Sequence, residues 1–355
     1  MTTLTILIIV LFLLLIGMGY YVYLLNSKIA KIKKDISNIP DYSQKVDSLD
    51  KEIESLRSGI ANYLAPFYRT ITEMEAKVNG LIVSSNEQSM DSETFIFFSD
   101  PHPFTSYDTI EWSKDTQLER IKDSMEVSGS KFVLCGGDWL TNHNEQTGID
   151  DLKMAESVMN QTFGDKYYPM VGNHDNNDKA EEIPHDTLVD IFFKRWGRAY
   201  YSFMGDATKF YVFDSDSIPH IAMDDYKREQ TKWFIDNLMV NDDKHIIIAI
   251  HMAQIMDDGG PISSEQVTIL SKIADIYNGR WQYEGYDFSN KTGKVHVILA
   301  GHWHEDNDYM LNNIPVYIID DAQEGNFDIV HIDYETNELK AVRVGTGRGR
   351  TIKLA

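Results

Sequence analysis

Seven side chains able to hold a metal ion stand at the ends of five short apolar runs. "TFIFFSDPH" ends in Asp100 and His102, and "KFVLCGGD" ends in Asp138. "YYPMVGNHD" supplies Asn173, followed by His174 and Asp175, "HIIIAIH" ends in His251, and "VHVILAGHWH" gives His302 and His304. Two Asp, one Asn and four His are hard or borderline donors, suited to Mn²⁺, Fe, Zn²⁺ or Mg²⁺ rather than to copper or iron–sulfur chemistry. Seven donors are too many for one ion. A carboxylate shared by two ions would hold them roughly 3.5–4 Å apart, the separation used in two-metal phosphoryl transfer. Such a pair lowers the pKa of a bridging water from about 15.7 toward about 7, clamps phosphate oxygens and neutralises charge developing on phosphorus. A histidine held by a neighbouring carboxylate would complete the site as proton donor to the leaving oxygen. A lone His at a strand end is more often hydrogen-bonded structure than ligand, so the weight rests on the five motifs together and in order. His143, His185, His220, His245, His296 and His331 lack such company and read as structural or surface residues.

The elements that must bring these groups together emerge from the pattern between them. Short strand-like runs alternate with amphipathic helical stretches, such as residues 116–126 with Leu118, Ile121 and Met125 on one face and residues 228–238 with Trp233 and Leu238 likewise. That alternation is the mark of an α/β domain, in which the carboxyl ends of the strands face one crevice. Gly137, Gly172 and Gly301 permit sharp turns off those ends. "YYSFMGDATKFYVFDSDS" reads as a hairpin turning near Gly205 and Asp206. The aromatic-rich "NGRWQYEGYDF", residues 278–288, either lines a substrate pocket or is a surface loop, and the surface loop is preferred.

The chain has 355 residues, 43% of them hydrophobic, enough for one large domain or two modest ones with appendages. Formal net charge is −22; residues 1–80 hold nine Lys/Arg against eight Asp/Glu, so residues 81–355 carry about −23. Such a body repels polyanions, whereas a protein that tracks a nucleic acid backbone needs a positive groove. Bound divalent cations would offset part of the charge. The single cysteine, Cys135, excludes an intrachain disulfide and a sulfur-rich metal site.

Residues 4–25 contain no charged side chain and are long enough to cross a hydrocarbon core of about 30 Å. They read as a single transmembrane anchor over residues 1–27, with Tyr20, Tyr21 and Tyr23 at its interface. A cleaved signal peptide is the alternative, but no basic region precedes the run and no clear small-x-small site comes after it. Lys28, Lys31, Lys33 and Lys34 come directly after, which favours a cytoplasmic bulk of the chain. Over residues 28–80, Ile29, Ile32, Ile36, Ile39, Val46, Leu49, Ile53, Leu56 and Ile60 fall on one helical stripe interrupted near Pro40. This stalk is either a short coiled coil that joins copies of the chain or a solvated single helix. Residues 81–93, polar and aperiodic, read as a linker to a domain over residues 94–355.

The order D-x-H, G-D, G-N-H-D, a strand ending in H, and G-H-x-H resembles the calcineurin-like metallophosphoesterase family over residues 95 to about 345. "REQTKWFIDNL" and "FYVFDSDS" are similar to that family's helix and strand ahead of the fourth motif. The resemblance implies a four-layer α/β/β/α sandwich with a dinuclear centre at the sheets' carboxyl edge. It implies one metal bound by Asp100, His102 and His304, another by Asn173, His251 and His302, and Asp138 bridging them. It implies His174 as proton donor or oxyanion stabiliser, oriented by Asp175. Many members carry a second acid soon after G-D; here Thr141 and Asn142 stand there, which removes no ligand but leaves the surroundings of Asp138 open. The expected activity is hydrolysis of a phosphomonoester or phosphodiester by a membrane-tethered enzyme holding two divalent or trivalent ions, with Mn, Fe or Zn all acceptable to the ligands. Two other readings stand beside it. A catalytically inactive scaffold of the same fold would show lost ligands, and none is lost; a nuclease is opposed by the acidic domain, although a short substrate escapes that objection.

Overall fold

The computed structural model describes residues 91–102, 114–140, 145–175, 185–215, 223–257, 260–323 and 325–355. The expected membrane anchor and stalk, and all of the linker before Asp91, lie outside these residues, as do Thr141, Asn142 and His143. Among the described residues no helix is long and apolar enough to cross a membrane.

In chain order the strands are β1 (Ser92–Phe98), β2 (Val133–Cys135), β3 (Tyr167–Pro169), β4 (Tyr201–Met204), β5 (Thr208–Phe213), β6 (His245–Ile250), β7 (Gln254–Asp257) and β8 (Gly260–Ser263). They continue as β9 (Gln282–Tyr283), β10 (Tyr286–Asp287), β11 (Lys294–Ala300), β12 (Asn307–Leu311), β13 (Ile314–Ile318), β14 (Phe327–Asp333), β15 (Glu338–Val344) and β16 (Arg350–Lys353). The helices are α1 (Lys114–Ser128), α2 (Glu145–Phe163), α3 (His185–Phe192), α4 (Met223–Val240) and α5 (Glu265–Asn278). The two helices and the Gly205–Asp206 hairpin expected from the sequence are all present.

Two six-stranded sheets dominate, in the orders β16-β15-β14-β1-β2-β3 and β12-β13-β11-β6-β5-β4. Within them β1, β2 and β3 run parallel, as do β13, β11, β6 and β5. Period-two alternation sends successive side chains of the second sheet to opposite faces. Phe210, Val212, Ile247, Ala249, Val297, Leu299 and Tyr317 share a core with the first sheet, where Phe95 meets Phe210 edge-on at 5.4 Å between ring centres. Their neighbours Tyr211, Phe213, Ile246, Ile248 and Ile250 instead pack with Phe234, Ile235 and Leu238 of α4 and Val267, Leu270 and Ile273 of α5. Leu118, Ile121 and Met125 of α1 add to the first core. Each buried side chain of this size contributes about 1.5–3 kcal/mol by leaving water, which makes β6, buried at all six positions, a fixed rail for His251 at its carboxyl end. Ser264 caps α5, accepting from Val267 N at 3.3 Å and donating to Met252 O at 2.8 Å, and so ties that helix to the segment after His251.

Ser92 and Glu93, expected in the linker, already belong to β1 and pair with Asp333 and Ile332. Glu93 is buried because its carboxylate accepts the backbone N–H groups of Asp206 and Ala207, at 3.2 and 2.9 Å, in the β4–β5 turn. The aromatic segment 278–288 forms the β9–β10 hairpin beside α4 and α5. Arg280 fixes it to the carbonyls of Thr292 and Gly293, at 2.9 and 2.6 Å, just before the amino end of β11. It therefore lies at the opposite edge of the second sheet from the histidines at the carboxyl ends of β6 and β11.

Candidate metal centre

The carboxyl ends of β1, β2 and β3 and of β6 and β11 each release one of the five motifs, and a parallel bridge from Ser99 to Asp321 shows that the two sheets end side by side there. The turns off these strands are tight. Asp100, His102, Asp138, His302 and His304 all have left-handed backbones, with φ of 52°, 35°, 58°, 73° and 53°. A non-glycine residue there costs about 1–3 kcal/mol and persists only where its surroundings hold it. Here Asp100 N donates to Gly137 O at 3.0 Å, His102 N to Asp138 O at 3.2 Å, and His302 N to Asp100 Oδ2 at 2.9 Å. Two glycines let the loops touch: a Cβ on Gly172 would stand 2.0 Å from Asp138 Oδ1, and one on Gly137 would stand 2.8 Å from Gly172 N.

The Asp138 carboxylate is the meeting point. Its Oδ2 lies 3.2 Å from His251 Nε2, 3.8 Å from His102 Nε2 and 4.0 Å from His174 Nε2. Asp100 Oδ1 lies 3.3 Å from His304 Nε2 and 3.9 Å from His251 Nε2. Asn173 Oδ1 is 3.1 Å from His251 Nε2. Donor atoms come within 4.8 Å of one another in the sets Asp100–His102–His304, Asp138–His251–His302 and His102–Asp138–His174. All seven side chains read from the sequence as ligands are thus brought to one place.

The outer nitrogens of three rings are occupied. His102 Nδ1 donates to Leu140 O at 2.7 Å, His251 Nδ1 to Gly136 O at 2.5 Å, and His304 Nδ1 faces Asp321 Oδ2 at 3.1 Å. Each Nε2 is thereby left turned toward the carboxylates, the tautomer a metal ligand needs. Asp321 was not among the residues singled out from the sequence.

Burial alone would raise the Asp138 carboxyl, but the facing His251, His174 and His102 hold it far below the carboxylate range. Burial likewise opposes charge on His251, yet Asp138 and Asp100 push it up to about 9. His304 is pushed up to about 10 by the carboxylates that face its two ring nitrogens, Asp100 first and then Asp321. Burial, with His251 beside it, takes His302 down to about 4, and burial also lowers His102. The cluster therefore pairs buried anions with rings that compete to neutralise them. Asp100 Oδ1 is buried and accepts no hydrogen bond. A carboxylate oxygen with no hydrogen bond, set among imidazole nitrogens, fits a cation, and the oxygen and nitrogen donors here suit a hard or borderline one.

His174 stands at the rim, its side chain 27% exposed, edge-on to His102 with 5.0 Å between ring centres. Asp175 does not orient it. The Asp175 carboxylate accepts the N–H groups of Asp138 at 3.0 Å, Trp139 at 2.7 Å, Leu140 at 3.2 Å and Gly172 at 2.8 Å, while His174 Nδ1 has no hydrogen-bond partner. The left-handed turn at Asp138 leaves the amides of Asp138, Trp139 and Leu140 without ladder partners, and this is the acceptor that satisfies them. Burial and then the charge of Asp138 push Asp175 up to about 7, against the pull of its amides.

The sequence matches the family described as Calcineurin-like phosphoesterase over residues 93–306. The chain belongs to the calcineurin-like phosphoesterase family. Members of this family are generally dinuclear metal-dependent hydrolases. A dimetal phosphatase from Danio rerio shares the fold, with a TM-score of 0.53 at 12% identity over 74% of this chain and 99% of its own. GAP50, the anchor in the inner membrane complex of Plasmodium, has a TM-score of 0.45 at 12% identity over 74% of this chain and 88% of its own. A putative 5'-nucleotidase from Staphylococcus aureus has a TM-score of 0.42 at 13% identity over 74% of this chain and 54% of its own. No curated protein matches the chain in sequence.

Proposed function

We propose that this calcineurin-like phosphoesterase hydrolyses a phosphomonoester or phosphodiester with two metal ions, Mn, Fe or Zn, held by the seven converging side chains. Asp100, His102 and His304 would hold one ion, Asn173, His251 and His302 the other, and Asp138 both. When bound, such a pair supplies Lewis acidity to the phosphoryl group and makes a nucleophile of water near neutral pH. The chain's own groups do the rest. Backbone amides and Gly172 press Asp138 into the centre, the carbonyls of Leu140 and Gly136 fix His102 and His251, and His174 at the rim is placed to protonate the leaving oxygen.

The observation that carries this reading is the position of Asp138 Oδ2, within 4.0 Å of imidazole nitrogens from three separate loops. Tethering to a membrane through residues 4–25, with the domain on the cytoplasmic side, rests on the uncharged run and the lysines after it. The test is hydrolysis of aryl phosphate mono- and diesters by the full-length protein in detergent, stripped by chelator and resupplied with Mn²⁺. Activity that returns with the metal and is absent from a folded Asp138→Ala protein supports the reading; equal rates in variant and parent overturn it.

A further inference from the structure

Three ligand histidines hold their outer nitrogens in two different ways. Those of His102 and His251 meet backbone carbonyls, whereas that of His304 meets a side chain, Asp321 Oδ2 at 3.1 Å. Asp321 lies just past the carboxyl end of β13 and is built in from several sides. Its backbone bridges to Ser99, next to Asp100, and the adjacent Ala322 N donates to Ser99 O at 2.8 Å. The preceding Asp320 N donates to Asp306 Oδ1 at 3.1 Å, and Asp320 Oδ2 accepts from Asn326 Nδ2 at 3.2 Å. Arg343, 7% exposed, joins the two loops: it pairs with Asp306, two residues beyond His304, lies 3.7 Å from Asp320 Oδ2 and donates to Asp328 Oδ1 at 2.6 Å. The loop that carries His304 and the loop that carries Asp321 are therefore clamped to one cation and cannot drift apart independently.

We infer that Asp321 is a positioning residue that holds His304 with Nδ1–H outward and thereby sets the affinity of the Asp100–His102–His304 site, leaving the Asn173–His251–His302 site unaffected. This rests on the two-ion reading proposed above. A carboxylate behind a ligand imidazole fixes ring and tautomer and makes the inner nitrogen a stronger donor than a carbonyl does, and loss of such a partner typically costs about 10–100-fold in metal affinity. The two sites are thus unequal by construction: of these three rings only His304 has a carboxylate behind it, while His102 and His251 have backbone carbonyls.

The test is calorimetric titration of full-length, metal-stripped protein in detergent with Mn²⁺ alone, alongside Asp321→Asn, His304→Gln and the double variant, with electron paramagnetic resonance to separate paired from single Mn²⁺. The parent should bind two ions. Asp321→Asn should weaken one of them by about 10–100-fold, leave the other unchanged and convert the paired signal to a single-ion one at low Mn²⁺. The double variant should be no weaker than His304→Gln, because both changes act through one ring. A parent that binds fewer than two ions contradicts the two-ion reading itself. Two ions in the parent with an unchanged Asp321→Asn titration, equal weakening of both sites, or additive losses in the double variant would overturn the role of Asp321 while leaving that reading intact.

Discussion

The Asp175 carboxylate accepts the backbone N–H of Asp138 at 3.0 Å, while the Asp138 carboxylate accepts that of His174 at 2.8 Å, so each side chain fastens the other's loop. The arrangement keeps the central carboxylate in a strained turn before any cation arrives. Its consequences can be measured.

Asp175→Asn keeps the shape but replaces a carboxyl whose two oxygens accept four N–H groups with an amide that has one accepting oxygen. Stability should fall by about 1–3 kcal/mol, because the NH₂ group that replaces one oxygen leaves two buried N–H groups unsatisfied, and Mn²⁺ affinity should fall with it because Asp138 loses its anchor. Urea unfolding reads the first and calorimetry the second. Unchanged stability with an altered dependence on leaving group would restore a role beside His174.

His174→Ala removes a ring that stands 4.0 Å from Asp138 and reaches the solvent side of the cleft. Alkyl phosphate esters, which need a proton on the departing oxygen, should slow by about 10²–10⁴-fold, and nitrophenyl esters far less. A uniform loss across leaving groups would remove His174 from the acid role.

Gly172→Ala introduces a Cβ 2.0 Å from Asp138 Oδ1 and 2.3 Å from Asp138 N. The neighbours are backbone and the central ligand, so nothing nearby yields cheaply. The change should cost about 1–3 kcal/mol in unfolding free energy and weaken Mn²⁺ binding. A variant with parental metal affinity would show that Asp138 need not sit where the glycine lets it.

At the opposite edge of the second sheet, buried His296 lies 2.9 Å from His245 Nδ1, and burial, then His245 and Lys294, take it down to about 3. The folded protein keeps this ring neutral, whereas the unfolded chain protonates it below its ordinary 6.5. Its contribution is therefore present above 6.5 and lost as pH falls toward 3, at up to about 1.4 kcal/mol per pH unit. His296→Gln should flatten the pH dependence of stability between pH 4 and 6 by about one proton. Parallel curves for variant and parent would contradict the neutral buried ring.

The donors of the site were legible because five apolar runs in order each end in metal-binding side chains, whereas any one of them alone would not have marked a site. Asp321 comes after a run of the same form, "VYIID", yet no histidine stands beside it. What gives it a role is the parallel pairing of β13 with β11 and the bridge to Ser99, both tertiary facts. The family resemblance implied the wrong partner for Asp175, because three of the four amides that claim its carboxylate arise from the distant turn at Asp138, Trp139 and Leu140. Glu93 read as linker since its charge is satisfied only by a hairpin more than a hundred residues later.

Two cations sharing Asp138 can be sought without a substrate, by anomalous X-ray scattering from crystals grown with Mn²⁺. Two anomalous peaks are expected, one among Asp100, His102 and His304 and the other among Asn173, His251 and His302, with Asp138 ligating both. A single peak, or two peaks with Asp138 bound to neither, would contradict it.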